Sequence, residues 1–303
     1  MKLFLFEFAT CGGIVGDSVA VEGLAMFKTL YSGFKRHCEV YGFVREDFSH
    51  LGLPVGRMEE IENWLENCDS FLIVAPEDDF LLLNLTRKAE KYAENLGSSS
   101  KAIEVTSDKW RLYKKIKRRA MVPKTSKKPL KEKFLVKPRV SCAGEGIEFS
   151  EDVKDGFIAQ EFIPGVPLSV SLVVGDEIEA VSVNEQVLEN FRYRGAVVPA
   201  RIDYRTALEV CNEAIAAAEA VNGLRGYVGV DLVYADQPYV IEINARITTP
   251  VIAFENAYGV NVADMILGDF EFPGKFRRQK IEKGNFEEFF AKVGSVALRV
   301  CDL

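Results

Sequence analysis

The sequence predicts a protein of mixed α/β and α+β class that opens with a doubly wound α/β domain. The first observation is an apolar strand at residues 2–8, followed by the loop Thr10-Cys11-Gly12-Gly13 and a helical stretch from about Val19 to Tyr31. Doubly wound domains begin in this order. The second is a pair of apolar, β-branched segments at residues 229–234 and 238–244, which a short polar turn joins as a hairpin. With 303 residues, the chain is long enough for two or three domains.

The predicted N-terminal α/β domain covers residues 1–98. Apolar residues between Met58 and Cys68 recur at helical spacing, and residues 71–75 form a short buried strand that ends at Pro76-Glu77-Asp78. Ligands of doubly wound domains bind at such strand ends. We expect a helix from Leu81 to Leu96, and the polar breaker Gly97-Ser98-Ser99-Ser100 marks the first domain boundary.

The rest of the chain is expected to form two further units, residues 99–163 and residues 164–303. The first contains strands at 133–138 and 156–164 around a loop of small residues at 141–147. In the second, a strand at 169–174 is expected to pair back on the strand before it. Thr206-x-x-Glu209 is a capping box that predicts the start of a helix, which Gly223 ends, and we expect a last helix at 286–292.

Three oxygen ligands lie in the predicted hairpin. Asp231 interrupts its first apolar strand, while Glu242 and Asn244 lie two residues apart in the second and therefore share one face. Magnesium prefers oxygen ligands and joins one or two carboxylates to substrate phosphates. The hairpin therefore predicts a Mg²⁺ site and, with it, a nucleotide; the alternative is a strand pair with solvated polar residues on its outer face.

Charge is spread unevenly along the chain. The net charge is −7, yet residues 109–139 hold 14 Lys or Arg against one acid, Glu132. A basic block of this kind indicates an anionic partner. Because few aromatic residues interleave with these cations and the remainder is acidic, we expect a polyphosphate and no nucleic acid. The alternative for most of these lysines is a solvated basic helix.

Other classes of protein are excluded by composition. The six cysteines are scattered without a Cys-x-x-Cys pair, and the two histidines lie apart from any other chemical signal. We therefore expect no zinc site, no disulfide framework and no histidine base. No apolar run approaches the ~20 residues that span a membrane, and Glu7 interrupts the apolar start, so a cytoplasmic protein without a membrane partner is expected.

In order along the chain, these motifs resemble the ATP-grasp superfamily. They are Ser107-Asp108-Lys109, Leu135-Val136-Lys137-Pro138, the small-residue loop at 141–147, Gln160-Glu161-Phe162-Ile163-Pro164-Gly165, Asp231, and Glu242-Ile243-Asn244-Ala245-Arg246. Each motif is weak alone, and the order and spacing make the set specific. The resemblance implies an N-terminal domain followed by two α+β subdomains that close over ATP.

The resemblance also assigns roles by matching position. Lys109 and Lys137 would hold the α- and β-phosphates, and the loop around Gly144 and Gly146 would cover them. Asp231, Glu242 and Asn244 would hold Mg²⁺, for which Mn²⁺ could substitute. The hinge Gln160, Glu161, Phe162 and Ile163 would bind adenine, with Ile241 beneath the ring. Arg246, with Lys137, would serve catalysis, facing the γ-phosphate or the substrate carboxylate.

Two positions depart from the superfamily pattern. Pro167 stands where many members carry an acid that binds ribose hydroxyls, so Glu161 or another residue would make that contact. Gly229 stands where some peptide-forming members carry an arginine. Arg246 or Arg201 would then supply its charge to the substrate.

The activity that the resemblance implies is an ATP-dependent joining of a small-molecule carboxylate to an amine through an acyl phosphate, a reaction that needs no histidine. Residues 6–13, Ala75-Pro76-Glu77, Ser182-Val183-Asn184-x-Gln186 and Tyr193-x-Gly195 are similar to the archaeal tyramine–glutamate ligases of methanofuran biosynthesis. Asn184, Gln186 and Tyr193 would line the acceptor pocket, and Glu7 with Gly12 and Gly13 would close it. A non-catalytic nucleotide sensor and a kinase are alternatives, and a homodimer is compatible with the sequence.

Overall fold

The computed structural model describes residues 1–271 and 274–303. Its α-helices are α1 (Phe8–Cys11), α2 (Asp17–Phe34), α3 (Ile61–Leu65), α4 (Leu81–Ala89), α5 (Ser100–Thr106), α6 (Lys109–Ile116), α7 (Tyr204–Glu219), α8 (Phe254–Tyr258) and α9 (Val262–Leu267). Short 3-10 helices are formed by Glu46–Leu51, Met58–Glu60, Asp78–Phe80 and Thr249–Ala253. Among the described residues, none of the helices has the length and apolar character needed to cross a membrane.

The N-terminal sheet has four parallel strands in the order β2-β1-β3-β4. They are β1 (Lys2–Glu7), β2 (Glu39–Tyr41), β3 (Ser70–Val74) and β4 (Glu94–Asn95). Every residue of β3 is buried, as is usual for a strand of a parallel sheet covered by helices. Helix α2 packs on β1 and α4 on β3. Because β1 and β3 are parallel neighbours, Glu7 at the end of β1 and Glu77 just after β3 lie at the same edge of the domain.

The central sheet is antiparallel, with the order β5-β8-β6-β7. Its strands are β5 (Thr125–Ser126), β6 (Phe134–Pro138), β7 (Glu148–Phe149) and β8 (Phe157–Glu161). In the pairing of β6 with β8, Lys137 lies opposite Ile158 and Leu135 opposite Gln160. This pairing places the lysine of β6 beside the glutamine of β8.

The C-terminal sheet has eight antiparallel strands in the order β13-β12-β9-β10-β11-β14-β16-β15. They are β9 (Val166–Val174), β10 (Ile178–Glu189), β11 (Arg192–Val198), β12 (Gly226–Tyr234), β13 (Pro238–Asn244), β14 (Gln279–Gly284), β15 (Ala291–Val293) and β16 (Val296–Asp302). The predicted hairpin is β12–β13, and Asp231 lies directly opposite Glu242. Because Leu232 pairs with Val240, Ile241 is left without a partner in a β-bulge, which simple alternation did not predict.

Several predicted elements are wrong. Residues 286–292 contain no helix, since this segment is a turn and the start of β15 between β14 and β16. Its apolar residues pack on the sheet instead, and the Phe286 ring lies against Gly284 and 4.1 Å beneath the Arg299 guanidinium. The strand β9 pairs with β10 and β12 and not with β8, which belongs to another sheet.

Predicted helix boundaries also shift. The helix that begins at Leu81 ends at Ala89, and the next residues turn into β4 at the edge of the parallel sheet. The capping residue of α7 is Asp203, not Thr206: the Asp203 carboxylate accepts hydrogen bonds from the backbone N–H and hydroxyl of Thr206. A carboxylate three residues earlier therefore replaces the predicted capping box.

Candidate active site

Asp231, Glu242 and Asn244 lie side by side on the β12–β13 hairpin. The Asn244 Nδ2 donates to Asp231 Oδ2 at 3.0 Å, and Gln186 Nε2, from β10, donates to Asp231 Oδ1 at 2.9 Å. Burial raises the pKa of Asp231 to about 7, and the negative charge of Glu242 adds to the increase. The cluster therefore holds more negative charge than its own hydrogen bonds compensate.

Two lysines from other elements face this cluster. Lys109, the first residue of α6, donates from Nζ to the Ser141 carbonyl at 2.8 Å and lies 3.2 Å from Glu242 Oε1. Lys137 donates from Nζ to Gln160 Oε1 at 2.6 Å. Burial lowers the pKa of Lys137 to about 8, and the positive charge of Lys109 acts in the same direction. An anion between the two lysines would relieve both effects.

The cap of α6 explains how Lys109 reaches the site. The Asp108 carboxylate accepts from the backbone N–H groups of Trp110 and Arg111 and pairs with the Arg139 guanidinium. The Lys109 N–H donates to the Arg139 carbonyl at 2.8 Å. The motif Ser107-Asp108-Lys109 is therefore tied at both backbone and side chain to the end of β6.

The small-residue loop at 141–147 has the backbone expected of a phosphate-covering loop. Ala143, Gly144 and Gly146 have positive φ angles of 53°, 75° and 67°. A Cβ on Gly144 would approach the Phe191 carbonyl oxygen to 2.2 Å, so only glycine fits where this loop meets the β10–β11 turn. The loop thus bridges the central and C-terminal sheets above the lysines.

The predicted adenine hinge is partly occupied by internal hydrogen bonds. The Phe162 N–H donates to the Lys133 carbonyl at 2.9 Å, and the Glu161 N–H donates to the Lys124 carbonyl at 2.8 Å. The Phe162 N–H is therefore already engaged, and the contact of the Phe162 and Ile163 backbone with adenine stays a prediction. The Gln160 side chain is also engaged, since its Nε2 donates to Thr125 at 3.3 Å while its Oε1 accepts from Lys137.

Arg246 forms an ion pair that the sequence did not reveal. Its Nε and Nη2 donate to the two carboxylate oxygens of Glu77 at 2.7 and 2.8 Å, and Nη1 donates to the Ile247 carbonyl at 3.1 Å. Burial alone would lower the pKa of Arg246, but the Glu77 carboxylate outweighs it and the pKa is raised. This pair joins the end of β3 to the end of β13, and its only signal in the sequence was an acid after a buried strand.

The departure at Gly229 has a steric cause. A Cβ on Gly229 would lie 2.7 Å from Thr248 Cγ2, so the space above this residue is already filled. Thr248 also hydrogen bonds to the Tyr227 hydroxyl, which contacts Ser171. A long side chain at position 229 would displace this network.

Arg201 does not reach the cluster. Its guanidinium makes two hydrogen bonds, of 3.0 and 2.6 Å, to the Glu185 carboxylate at the protein surface. Since side chains alternate along β10, Glu185 lies on the face opposite Asn184 and Gln186. The prediction that Arg201 supplies charge to the substrate is therefore wrong, because it lies on the other face of the sheet.

Two of the remaining predicted substrate residues, Asn184 and Glu7, are held by internal hydrogen bonds. Asn184 is fully buried, and its Nδ2 donates to Ser171 at 3.1 Å while its Oδ1 accepts from Ser182 at 2.7 Å. The Glu7 carboxylate caps α1 and accepts hydrogen bonds from the N–H groups of Ala9 and Thr10 and from the Thr10 hydroxyl.

Gly12 and Gly13 lie in tightly packed positions. A Cβ at these positions would collide with the side chains of Met58 and Phe8. The two glycines therefore let the loop after α1 pack tightly, and their part in closing a pocket stays a prediction.

The donor set of the hairpin fits Mg²⁺. Among the described residues, no group of three or more His, Cys, Asp or Glu side chains could hold a metal by themselves. The site offers two carboxylates and one amide oxygen, and the raised pKa of Asp231 reflects charge that a cation would neutralise. Such a site suits a hard ion that keeps water or phosphate oxygens in its remaining positions.

Comparisons with known proteins agree with this geometry. The ATP-grasp domain family matches residues 106–250, and the pre-ATP-grasp 3 domain family matches residues 54–103. The first match contains Lys109 and Lys137, the loop at 141–147, the predicted hinge and the β12–β13 hairpin. It ends at Pro250, just beyond Arg246.

Relatives match over most of the chain. The tyramine–L-glutamate ligase of Methanocaldococcus fervens is 38% identical over 264 residues, covering 82% of this chain and 88% of the relative. That of Methanocaldococcus jannaschii is 39% identical over 265 residues, covering 82% and 83%. The crystal structure of an ATP-grasp superfamily protein from Archaeoglobus fulgidus has 58% identity and a TM-score of 0.97, covering 100% of this chain and 99% of that chain.

Proposed function

We propose, from the premise that this chain belongs to the ATP-grasp family and is an ATP-dependent carboxylate–amine ligase, that it joins L-glutamate to tyramine. The expectation of this family from the ordered motifs is confirmed. Two relatives that carry the tyramine–L-glutamate ligase name match more than four fifths of their own length. The observation in the structure that carries the proposal is the convergence of Lys109 and Lys137 on the Asp231–Glu242 pair.

The residues divide the task by their charge. Lys109 and Lys137 bind phosphate oxygens, and the loop around Gly144 and Gly146 covers them. Asp231, Glu242 and Asn244 hold Mg²⁺. When bound, Mg²⁺–ATP supplies the phosphoryl group that activates the substrate carboxylate. Such transfer needs positioning and charge neutralisation more than proton chemistry, which fits a site built without histidine.

Adenine would lie between the hinge and the bulge of β13. The Phe162 N–H already donates to the Lys133 carbonyl. We therefore assign the hydrogen bonds with the edge of the base to the Phe162 carbonyl and to the backbone of Ile163. Ile241, the unpaired residue of the bulge, is half-buried beside Glu242 and is assigned to the lower face of the ring. The ribose contact is assigned to Glu161, since Pro167 has no side-chain acceptor.

Arg246 lies at the junction of the N-terminal domain and the metal-binding hairpin. Its bidentate contact with Glu77 fixes the plane of the guanidinium, two residues after Asn244 in the sequence. A guanidinium fixed in this way can stabilise negative charge on a substrate carboxylate or a transferring phosphate without reorganising. We assign Arg246 this role and Glu77 the role of positioning it.

Measurement of phosphate release tests the proposal. Protein is incubated with ATP, Mg²⁺ and L-glutamate, and each of a panel of amines, including tyramine, is added in turn. The expected result is release that depends on tyramine, with formation of an amide. Formation of ADP and a stable phosphate ester without any amine and without phosphate release would identify a kinase, and nucleotide binding without release for any pair would contradict the assignment of substrates.

A further inference from the structure

A second buried ion pair lies between α2 and β14. The Lys283 Nζ donates to the Ser18 carbonyl at 3.0 Å, to the Ser18 hydroxyl at 3.1 Å, and to Glu22 Oε1. Glu22 Oε2 accepts from the Thr249 hydroxyl at 2.6 Å. The Lys283 side chain is 4% exposed and that of Glu22 is 16% exposed. The lysine therefore has all three donors in use, whereas the carboxylate is fixed, partly open, and retains acceptor capacity.

The Tyr193 hydroxyl provides a second, independent observation. It is buried, and within the described part of the chain it has no hydrogen-bond partner. Its ring lies 5.7 Å from the Lys283 Nζ. Burial raises the pKa of Tyr193, and the charges of Glu22 and Asp231 add to this. A buried polar group without a partner destabilises the protein, and a hydrogen bond to a ligand atom would remove that cost.

The pair of Glu22 and Lys283 is connected to the candidate reaction site through Thr249 and Thr248. Thr249, which donates to Glu22, follows Thr248, and Thr248 covers Gly229. Gly229 lies two residues before Asp231 and therefore on the same face of β12. Glu22 thus contacts the segment that covers Gly229, and Tyr193 lies beside it because both face Lys283.

Acids nearer to the reaction site already have partners. The Glu77 carboxylate is occupied by Arg246, and that of Glu7 by the first turn of α1. Asp231 and Glu242 belong to the metal-binding cluster. Among the carboxylates that this geometry brings together, Glu22 is the one with open acceptor positions beside an unpaired hydroxyl.

We propose that Glu22 and the Tyr193 hydroxyl bind the ammonium group of the amine substrate, an inference that rests on the proposed ligase function. A primary amine is an ammonium ion at neutral pH and donates three hydrogen bonds. A carboxylate oxygen and a phenol oxygen can accept two of them, and hydrogen bonds between charged groups are the stronger kind. Lys283 and Thr249 hold the carboxylate in place for this contact.

The test uses Glu22→Gln, which keeps the shape and removes the charge, with two nucleophiles. Tyramine binds as an ammonium ion and loses a proton, for which the Glu22 carboxylate is an acceptor, before its nitrogen attacks the acyl phosphate, whereas hydroxylamine is uncharged at pH 8 and needs no ammonium site. With ATP and L-glutamate, we expect the variant to raise the KM for tyramine by about tenfold or more, the range for a lost hydrogen bond to a charged group. Hydroxamate formation and the KM for glutamate should change by less than about twofold.

Matched variants separate binding from folding. Asp17→Asn removes an exposed acid of the same helix. It should leave both the KM for tyramine and the rate of hydroxamate formation unchanged. Tyr193→Phe removes only the unpaired hydroxyl, so it should keep the melting temperature while weakening tyramine binding a few-fold. If Glu22→Gln does not fold, Tyr193→Phe carries the test alone.

Binding of tyramine without turnover, measured by calorimetry, distinguishes the two proposals. Weaker binding to Glu22→Gln than to wild type supports the ammonium site even when glutamate proves not to be the carboxylate. Absence of hydroxamate from glutamate in the wild-type protein contradicts the proposed substrate and leaves the calorimetric comparison intact. Equal tyramine binding in both proteins, or equal losses with tyramine and hydroxylamine, would overturn the role of Glu22.

Discussion

Two groups of buried charges in this protein differ in how well they are compensated. In the cluster of Asp231, Glu242 and Lys137, burial shifts the pKa of the acid up to about 7 and that of the lysine down to about 8. In the pair of Glu77 and Arg246, two short hydrogen bonds hold matched charges in one plane. The charges of the first group are left uncompensated in the absence of ligands, whereas those of the second are already matched between β3 and β13.

The largest expected effect comes from removing one charge of the ligand-binding cluster. Asp231→Asn should lower kcat/KM by a factor on the order of 10²–10³ or more, because a metal-binding carboxylate becomes a neutral amide. The measurement is Mg²⁺-dependent phosphate release at saturating ATP. Wild-type turnover in the variant would remove Asp231 from the metal site.

Breaking the pair of Glu77 and Arg246 should lower the stability of the fold. Glu77→Gln leaves the Arg246 charge buried without its partner, which is expected to destabilise the fold by about 3–5 kcal/mol in urea denaturation. The control is Glu94→Gln, since Glu94 pairs with Arg225 at the exposed surface and should contribute little. Equal effects of the two substitutions would show that the contact with Arg246 is not a buried ion pair in solution.

In the absence of ligands, removing the charge of Asp231 should raise the stability of the fold, whereas removing that of Glu77 should lower it. The folded-state pKa of Asp231 is raised from 3.8 to about 7, so the folded state binds the proton more tightly, and stability from this group is lost as pH rises through 7. In metal-free protein, Asp231→Asn should therefore raise the melting temperature at pH 8 and have a smaller effect at pH 5. A variant that is less stable than wild type at pH 8 would contradict the uncompensated charge.

The smallest expected effect concerns the pH dependence of nucleotide binding. Because the pKa of Lys137 is lowered to about 8, the free protein loses this positive charge above pH 8, and phosphate binding must take up a proton there. The dissociation constant for ATP should increase above pH 8, by at most about tenfold per pH unit. Lys137→Met should bind ATP more weakly at pH 7 and lack this dependence. Calorimetric titration at pH 7 and pH 9 makes the comparison, and an identical slope in both proteins would remove Lys137 from phosphate binding.

Much of the fold could be predicted because its signals are local. The strand, loop and helix at the N-terminus and the β12–β13 hairpin follow from apolar patterns within short windows. The predicted helix at residues 286–292 failed because aromatic residues that look helical in a window pack instead against a sheet formed by distant strands. The bulge at Ile241 was missed for the same reason, since it depends on the register against β12.

The candidate site shows the same division. Asp231, Glu242, Asn244, Lys109 and Lys137 could be named from ordered motifs, and the structure brings them together, although their roles stay predictions. Glu22 and Lys283 carry no motif, and Ala75-Pro76-Glu77 gave no sign that Glu77 pairs with Arg246, because an acid after a strand or on a helix is usually solvated. Arg201 was misplaced because its sequence position does not reveal which face of the sheet it reaches.

By itself, the sequence determined the class of fold and the family and predicted the groups for phosphate and metal, since these depend on residue type and on spacing along the chain. Only the tertiary structure decided which buried charges are paired. Glu77 meets Arg246 across 169 positions, and Glu22 meets Lys283 across 261. Burial of a charge and the distance to its partner depend on how separate elements pack, and these two quantities set the pKa values and hydrogen bonds on which recognition depends.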